Sequence, residues 1–188
     1  MRSARIAALA GIMSLAAVFA GPATVHAEER VCRGTLGSGT VDNLRVPQGA
    51  TCTLNGTRVK GTVKVERGAT LVAKTIRVVG NVQAEGAKRV VIYSNSRING
   101  SVQLEQGRSA EVRTSWIGGE LSLKSNSGSL NARRNTIGDS LQAYSNTGGL
   151  SITLNRIDGN LQCKSNRPAP TGGGNVVDGN KQDQCRRL

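Results

Sequence analysis

The stretch Arg58-Val-Lys-Gly61-Thr-Val-Lys-Val65 decides the fold, because close copies of it recur farther along the chain. Two such copies are Arg77-Val-Val-Gly80-Asn-Val-Gln-Ala84 and Arg97-Ile-Asn-Gly100-Ser-Val-Gln-Leu104. Each has an aliphatic residue two positions before a marker glycine and apolar residues two and four positions after it. The marker slot recurs every 19 or 20 residues, at Asp42, Gly61, Gly80, Gly100, Gly119, Asp139, Gly159 and Gly179. A fixed period of this length indicates a stack of similar structural units.

Residues after the marker alternate between apolar and polar, which is the pattern of a strand with one buried face. The two apolar positions hold Leu44, Val63, Val82, Val102, Leu121, Leu141 and Leu161, and then Val46, Val65, Ala84, Leu104, Leu123, Ala143 and Cys163. A second apolar pair lies midway along the repeat, as in Leu71 and Ala73. The chain therefore predicts an all-β fold, a single-stranded right-handed parallel β-helix (β-solenoid) with seven or eight coils of 19–20 residues.

One corner of each coil is expected to need a positive φ. Seven residues after the marker stand Gly49, Gly68, Gly107, Asn126, Asn146 and Asn166, and the coil through Gly80 shifts by one, to Gly86. Glycine and asparagine are the residues that best tolerate a positive φ. This column is therefore predicted to adopt it.

The four cysteines support the same register. Cys32 and Cys52 are 20 residues apart, and Cys163 and Cys185 are 22 apart, so each pair spans about one coil. Neighbouring strands lie roughly 4.8 Å apart, which is within the Cα separation of a disulfide. Of the three possible pairings, only Cys32–Cys52 with Cys163–Cys185 joins neighbours at both ends of the chain. A shared zinc site would need all four cysteines in one place.

Residues 1–27 have the pattern of a secretory signal peptide. A basic start precedes the apolar run from residue 6 to residue 20, and Val25-His26-Ala27 is typical of a small-residue cleavage site. The run is short for a bilayer span of roughly 20 residues. We expect cleavage after Ala27, leaving residues 28–188 as one β-solenoid domain without a transmembrane segment, either secreted or held in the periplasm or cell envelope.

The predicted mature chain is strongly basic. The whole sequence carries 25 Lys and Arg against 12 Asp and Glu, a formal charge of +13, which becomes +11 without Arg2 and Arg5 of the leader. The single histidine, His26, also leaves with the leader. Its loss excludes Ser-His and Cys-His nucleophile systems and histidine metal sites. We expect no cofactor.

The run from Cys52-Thr-Leu-Asn-Gly to Gly68-Ala-Thr-Leu, and the ending from Leu161-Gln-Cys163 to Asp183-Gln-Cys185, resemble small exported bacterial right-handed parallel β-helix proteins of uncharacterised function. The resemblance covers nearly all of residues 28–188. It implies the fold and an exported location, and it implies no catalytic residues. A looser similarity is to bactofilins, which are cytoplasmic and typically lack a signal peptide and paired terminal cysteines.

A basic column stands three residues before the marker, formed by Arg58, Arg77, Arg97, Trp116 and Arg156. The column neighbours an inward one, so it is expected to face solvent, with Trp116 placed to stack on Arg97. Such a stripe favours an anionic partner, namely a cell-surface polysaccharide, lipid head groups or nucleic acid. The alternative is a solvated face that only keeps the protein soluble. Nucleic acid is disfavoured because few aromatic residues interleave the charges for base stacking.

A second polar face carries Gln83, Gln103, Gln142 and Gln162. Their amides could hydrogen-bond sugar hydroxyls or each other. Ladders between neighbouring coils are the favoured interpretation.

The leading interpretation of the sequence is a non-enzymatic binding or structural module of the cell envelope. Two other functions stay open. A carbohydrate-active enzyme, lyase or glycosidase-like, would need facing carboxylates or an acidic metal cluster. The columnar acids are Asp139, Asp158 and Asp178, and Glu66, Glu85 and Glu105. They indicate no catalytic set. A self-assembling scaffold is disfavoured by the terminal disulfides, since blocked edges prevent strand-to-strand growth.

Overall fold

The computed structural model describes residues 28–188, and the predicted signal peptide lies outside the described residues. The described chain forms 25 short strands and no helix. The strands make three sheets of nine, eight and eight strands, and every strand pairs in parallel with the strands of the coils above and below. The predicted parallel β-solenoid is confirmed, with about eight coils of three strands each.

Sheet A contains the strand that follows the marker slot in each coil. Its strands are β1 (Glu29–Val31), β4 (Asn43–Val46), β7 (Val63–Val65), β10 (Val82–Glu85), β13 (Val102–Glu105), β16 (Leu121–Lys124), β19 (Leu141–Tyr144), β22 (Leu161–Lys164) and β25 (Lys181–Asp183).

Sheet B contains the strand formed by the midway apolar pair. Its strands are β2 (Gly34–Leu36), β5 (Thr51–Asn55), β8 (Thr70–Lys74), β11 (Arg89–Tyr93), β14 (Ser109–Arg113), β17 (Leu130–Arg133), β20 (Leu150–Thr153) and β23 (Thr171–Gly173).

Sheet C contains two-residue strands just before the marker. They are β3 (Thr40–Val41), β6 (Arg58–Val59), β9 (Arg77–Val78), β12 (Arg97–Ile98), β15 (Trp116–Ile117), β18 (Thr136–Ile137), β21 (Arg156–Ile157) and β24 (Val176–Val177). We name the three corners of each coil by the sheets they join: A–B, B–C and C–A.

The interior is filled by aliphatic side chains from all three sheets. Both predicted inward columns are buried over their whole length, and Val102, for example, aligns with Val82 below and Leu121 above. Sheet B contributes residues such as Ile92, and sheet C residues such as Ile98. Burial of many small aliphatic groups supplies the hydrophobic stabilisation that large rings provide in other domains.

The marker glycines lie at the C–A corner, where successive coils approach closely. The amide of Gly100 donates to the carbonyl of Gly80 at 3.1 Å, and that of Gly80 donates to the carbonyl of Gly61 at 3.0 Å. A Cβ on Gly100 would lie 2.7 Å from the Gly80 oxygen and 2.1 Å from Asn81 Oδ1. Close packing of backbone against backbone, rather than a positive φ, therefore explains glycine in this slot.

The A–B corner only partly follows the prediction. Gly49, Gly68 and Gly86 have the expected positive φ. From the next coil on the prediction is wrong, because the left-handed residue is the one before Gly107, Asn126, Asn146 and Asn166. Those left-handed residues are Gln106, Ser125, Ser145 and Ser165, with φ of 53° to 59°. The asparagines instead turn their amides inward.

Buried asparagines form two ladders along the stack. At the A–B corner, Asn126 Nδ2 donates to Asn146 Oδ1 at 3.0 Å, and Asn146 Nδ2 donates to Asn166 Oδ1 at 2.8 Å. The same amide nitrogens donate to backbone carbonyls of the coil before, as Asn146 does to Leu123. At the B–C corner, Asn135, Asn155 and Asn175 repeat the arrangement. Each ladder satisfies polar groups that the corners bury.

Both predicted disulfides are present and lie at the two ends of the stack. Cys32 and Cys52 have Cα atoms 5.6 Å apart, and Cys163 and Cys185 have theirs 5.2 Å apart. At the carboxyl-terminal end, Cys185 and Leu188 pack onto the core, and Gln184 accepts the last hydrogen bonds of the A–B ladder. The disulfides indicate an oxidising, extracytoplasmic environment.

Replacing Gly100 by alanine is expected to lower the free energy of unfolding by about 1–3 kcal/mol, since the added Cβ meets backbone that cannot yield without moving a coil. The control is Gly37→Ala, where a Cβ would meet nothing within 4 Å. Urea unfolding of the oxidised protein, followed by circular dichroism, measures both. Equal loss in the two variants would contradict the close-approach explanation.

The ladders make a second prediction. Asn146→Ala removes the acceptor for two donors of Asn126 and the donor to Leu123, all of them buried. Leaving buried polar groups unpaired is expected to destabilise the fold by about 3 kcal/mol. Asn131→Ala, on the outer face of sheet B, should change stability little. A loss below about 0.5 kcal/mol for Asn146→Ala would show that water replaces the ladder.

Candidate functional site

The predicted basic column is the outward-facing first position of the sheet C strands. The register aligns Thr40, Arg58, Arg77, Arg97, Trp116, Thr136, Arg156 and Val176 in coil order. The five predicted residues thus share one column, and its arginines are exposed. Arg58, Arg77 and Arg97 stand on consecutive coils, spaced by about 4.8 Å. Thr136 separates Arg156 from the rest.

Trp116 serves as a platform for Arg97. The Arg97 guanidinium carbon lies 3.9 Å from the centroid of the Trp116 ring, so the predicted stacking is confirmed. Gly118 makes room for this ring, since a Cβ on Gly118 would lie 2.8 Å from Trp116 Cη2. The cation–π contact and the half-buried ring restrict the orientation of the guanidinium, which keeps its N–H groups available to a ligand.

A groove of about 380 Å³ runs along the B–C corner beside this column. One wall consists of Arg77, Arg97, Trp116 and Thr136, the other of Thr75, Asn95, Thr114 and Arg134, and the floor includes Ser96 and Ser115. We call it the corner groove. It extends along the solenoid axis over four coils, and no carboxylate lines it. Its hydroxyl, amide and guanidinium groups suit an acceptor-rich ligand.

The arginines of the groove have no acidic partner. Within residues 28–188, ion pairs shorter than 4.0 Å engage Arg45, Lys60, Arg113, Lys124 and Arg156. Arg58, Arg77, Arg97 and Arg134 take part in none of these. Like charges directly opposite each other on neighbouring strands destabilise a sheet. The fold therefore holds a row of unpaired cations that nothing in the described chain neutralises.

The backbone beside the groove is strained. Thr75, Thr114 and Arg134 have φ of 54°, 48° and 54°, and Asn95 has 57°. Left-handed backbone costs a non-glycine residue about 1–2 kcal/mol, and threonine is β-branched as well. The A–B corner behaves alike: Gly49 there and Gly56 here supply the positive φ in an early coil, and non-glycine residues such as Gln106 supply it at the A–B corner of later coils. The strain is therefore a property of both corners, and the groove residues are distinguished by their charge and exposure instead.

Sequence reasoning missed a second basic and aromatic column, at the end of the sheet B strands. Lys74 aligns with Tyr93, and Arg113 aligns with Arg133. The Arg113 guanidinium lies 4.7 Å from the centroid of the Tyr93 ring, and its Nε donates to Glu111 at 2.6 Å. Arg134 was also missed. These residues recur with the same period of 19 or 20, which is the signal that reveals them.

Arg156 differs from the other predicted residues because it is neutralised. Its guanidinium lies 2.9 Å from Asp178 Oδ2 and 3.6 Å from Asp158 Oδ1. The three side chains are each about half exposed, so this cluster is solvated rather than enclosed. Asp139 accepts instead from Ser140 Oγ at 3.1 Å. Arg156 therefore serves ion pairing and does not extend the row of unpaired arginines.

The glutamine face forms side-chain hydrogen bonds in part. Gln83 Nε2 donates to Gln103 Oε1 at 3.1 Å, as the ladder interpretation predicts, and the Tyr144 hydroxyl donates to Gln162. A cleft of about 540 Å³ opens beside this face. Charges of both signs line it, namely Lys64, Arg67, Glu66, Glu85 and Glu105. Because its charges oppose each other, this cleft selects no ligand class by electrostatics.

Other chemistry is sparse in the described coils. Among residues 28–188, no three His, Cys, Asp or Glu side chains come together as metal ligands. No helix in that range is long and apolar enough to span a bilayer. A hydrogen bond from Lys60 lowers the pKa of the Asp42 carboxyl below its usual value. This pair lies far from the corner groove.

Comparison with known proteins gives no match: no family model, no curated protein and no solved structure is similar to the chain.

Because the stacked arginines have no acidic partners, removing one of their charges is expected to stabilise the fold. Arg77→Gln is expected to raise the free energy of unfolding by about 0.5 kcal/mol at low salt, because it relieves repulsion from Arg58 and Arg97. The gain should fade as salt screens the charges. Arg45→Gln, which breaks ion pairs to Glu29 and Glu66, should instead destabilise. Urea unfolding at low and high salt measures both, and a loss of stability in Arg77→Gln would refute the repulsion.

Proposed function

We propose that this protein is an exported, non-enzymatic binding module of the cell envelope, and that its corner groove binds an anionic polymer such as an acidic polysaccharide. The observation that carries the proposal is the row of exposed arginines without acidic partners, Arg58, Arg77 and Arg97, continued across the corner by Arg134. Guanidinium groups bind carboxylate, phosphate and sulfate oxygens with two parallel hydrogen bonds.

The distribution of charge supports an oriented encounter with a polyanion. Acidic residues are concentrated on sheet A and the C–A corner, as Glu66, Glu85, Glu105, Glu120, Asp139, Asp158 and Asp178. The B–C corner is flanked by cations on both sides, including Lys74 and Arg133 of sheet B. A surface with one sign of charge raises the local concentration of an oppositely charged ligand and orients its approach.

The scaffold holds the binding groups in a fixed register. Sheet C strands pair residue for residue, as Arg97 does with Arg77 and Trp116. The buried B–C asparagine ladder fixes the same corner from the inside. A ligand that carries acidic groups at intervals along a line meets partners already in place, so less conformational entropy is lost on binding.

An exported location is consistent with the two disulfides and with the predicted signal peptide. Oxidised cysteine pairs are typical of proteins outside the cytoplasm. We infer a secreted, periplasmic or envelope location for the protein. A carbohydrate-active enzyme would require facing carboxylates in a cleft. The acids nearest the basic column, Asp158 and Asp178, instead form exposed ion pairs with Arg156.

Binding of the oxidised protein to an array of neutral and acidic glycans, at low and high salt, tests the proposal. We expect selective retention on acidic glycans that weakens with salt. Arg97→Gln should lower the affinity about tenfold, as the loss of a charge-assisted hydrogen bond does. Trp116→Leu should weaken binding too, because Arg97 loses its platform.

Arg89→Gln is the matched control. It removes the same charge from β11 of the same coil, on the outer face of sheet B and away from the corner groove. Equal effects of Arg89→Gln and Arg97→Gln would mean that only net charge matters. Absence of salt-sensitive retention on every acidic glycan would overturn the proposed function.

A further inference from the structure

Exposed aliphatic side chains lie beyond the carboxyl-terminal end of the corner groove. Only four large hydrophobic residues among 28–188 are strongly exposed: Val31, Val79, Leu154 and Val176. Two of the four lie at the B–C corner on adjacent coils, with Leu154 44 % and Val176 56 % exposed. A water-soluble polyanion offers no partner for such groups, so their position at the end of a basic groove needs an explanation of its own.

Both residues lie outside the groove, in the two columns that form its walls farther along the axis. Leu154 follows Arg134 in the left-handed corner column, since the Arg134 amide donates to Thr153 and the Leu154 amide to Gly173 of the next coil. Val176 follows Arg156 in the sheet C column. Along the axis, the corner column passes directly from Arg134 to Leu154. The sheet C column reaches Val176 through Arg156, whose charge is neutralised by Asp158 and Asp178.

Leu154 occupies a backbone conformation that leucine rarely adopts. Its φ is 57°, and the equivalent residue of the next coil is Gly174, with φ of 67°. A Cβ on Gly174 would lie 2.8 Å from Leu154 Cδ2, so the leucine side chain lies over the glycine. Glycine or asparagine would fit this corner with less strain. A strained residue that also exposes an apolar side chain indicates that the side chain itself is used.

We propose that the corner groove docks on an anionic lipid surface, with the arginines on the acidic head groups and Leu154 and Val176 at the boundary of the acyl chains. The inference rests on the proposed function and narrows its ligand, from acidic groups in general to acidic groups that border acyl chains. Charge complementarity selects an anionic rather than a zwitterionic surface.

The remaining residues of the groove suit this position. Arginine side chains lay their methylene stems along apolar surface while the guanidinium stays among polar groups. Tryptophan is enriched at the interface between water and the hydrocarbon region. Trp116 lies one coil beyond Arg97, on the side of the column that leads toward Leu154 and Val176.

Co-sedimentation with phosphatidylcholine vesicles, with and without phosphatidylglycerol, tests the inference when it is run beside binding to a soluble acidic glycan. The purified oxidised protein should bind the anionic vesicles and should leave pure phosphatidylcholine vesicles unbound. Leu154→Asn should lower the vesicle partition coefficient about fivefold, the loss expected for one or two methylene groups withdrawn from the acyl boundary. It should leave binding to the glycan unchanged.

The controls separate this inference from the proposed function. Val79→Asn removes an aliphatic side chain of similar exposure, 46 %, from the C–A corner, and it should not alter vesicle binding. Leu154→Gly, which removes the side chain and the strain together, should match Leu154→Asn. Asparagine and glycine both accept the left-handed φ, so the fold should persist in both variants.

Three results decide the matter. Loss of vesicle binding in both Leu154 variants, with glycan binding kept, supports the lipid surface. Glycan binding that depends on Arg97, combined with vesicle binding indifferent to Leu154, overturns the lipid surface and leaves the proposed function standing. If Arg97→Gln changes neither vesicle nor glycan binding, both proposals fail.

Discussion

The hydrogen bonds that join each coil to the next through parallel backbone strands set every other dimension of this molecule. They place equivalent residues about one strand spacing apart, roughly 4.8 Å, so any side chain repeated with the sequence period becomes a column. Inward columns must then be small and aliphatic, because the same position above and below is filled as well. Outward columns bring like side chains together whether or not they attract each other. The basic column and the asparagine ladders are two outcomes of this one constraint.

The three corners accommodate the close spacing of neighbouring coils in three different ways. The C–A corner removes the side chain, so that Gly80 and Gly100 can stack backbone on backbone. The A–B corner, in its later coils, buries asparagine amides that hydrogen-bond from coil to coil. The B–C corner does this on its inner side, with Asn155 and Asn175, and keeps exposed side chains on left-handed backbone on its outer side. Buried ladder residues and exposed residues therefore occupy alternate positions of one corner, so the exposed residues can change without breaking the ladder.

Much of the architecture could be read from the sequence, because a fixed period converts directly into register. The inward columns, the alignment of Arg97 with Trp116 and both disulfides follow from counting along the chain. The asparagine column was misjudged because glycine and asparagine share a tolerance for positive φ, and only the structure shows that the Asn146 amide points inward. Arg134 and the column through Tyr93 recur with the same period, but their residue types change from coil to coil, as from Lys74 to Tyr93, so chemical similarity does not mark them as columns. The neutralising contact of Arg156 with Asp178 depends on side-chain direction, which spacing does not fix.

The ladder from Asn126 through Asn146 and Asn166 to Gln184 has a bearing on how such a protein can change over evolutionary time. Each asparagine amide donates to the residue of one neighbouring coil and accepts from the residue of the other. The ladder can therefore contain any number of such asparagines. Only the last acceptor differs, because it is the side-chain amide of Gln184, next to Cys185 in the carboxyl-terminal segment. Duplication of a 20-residue segment between these asparagines would add a rung without orphaning a polar group, and it would lengthen the outer surface by one strand spacing. Duplication of gene segments can therefore lengthen the outer surface of such a protein in steps of one whole coil, without further substitutions.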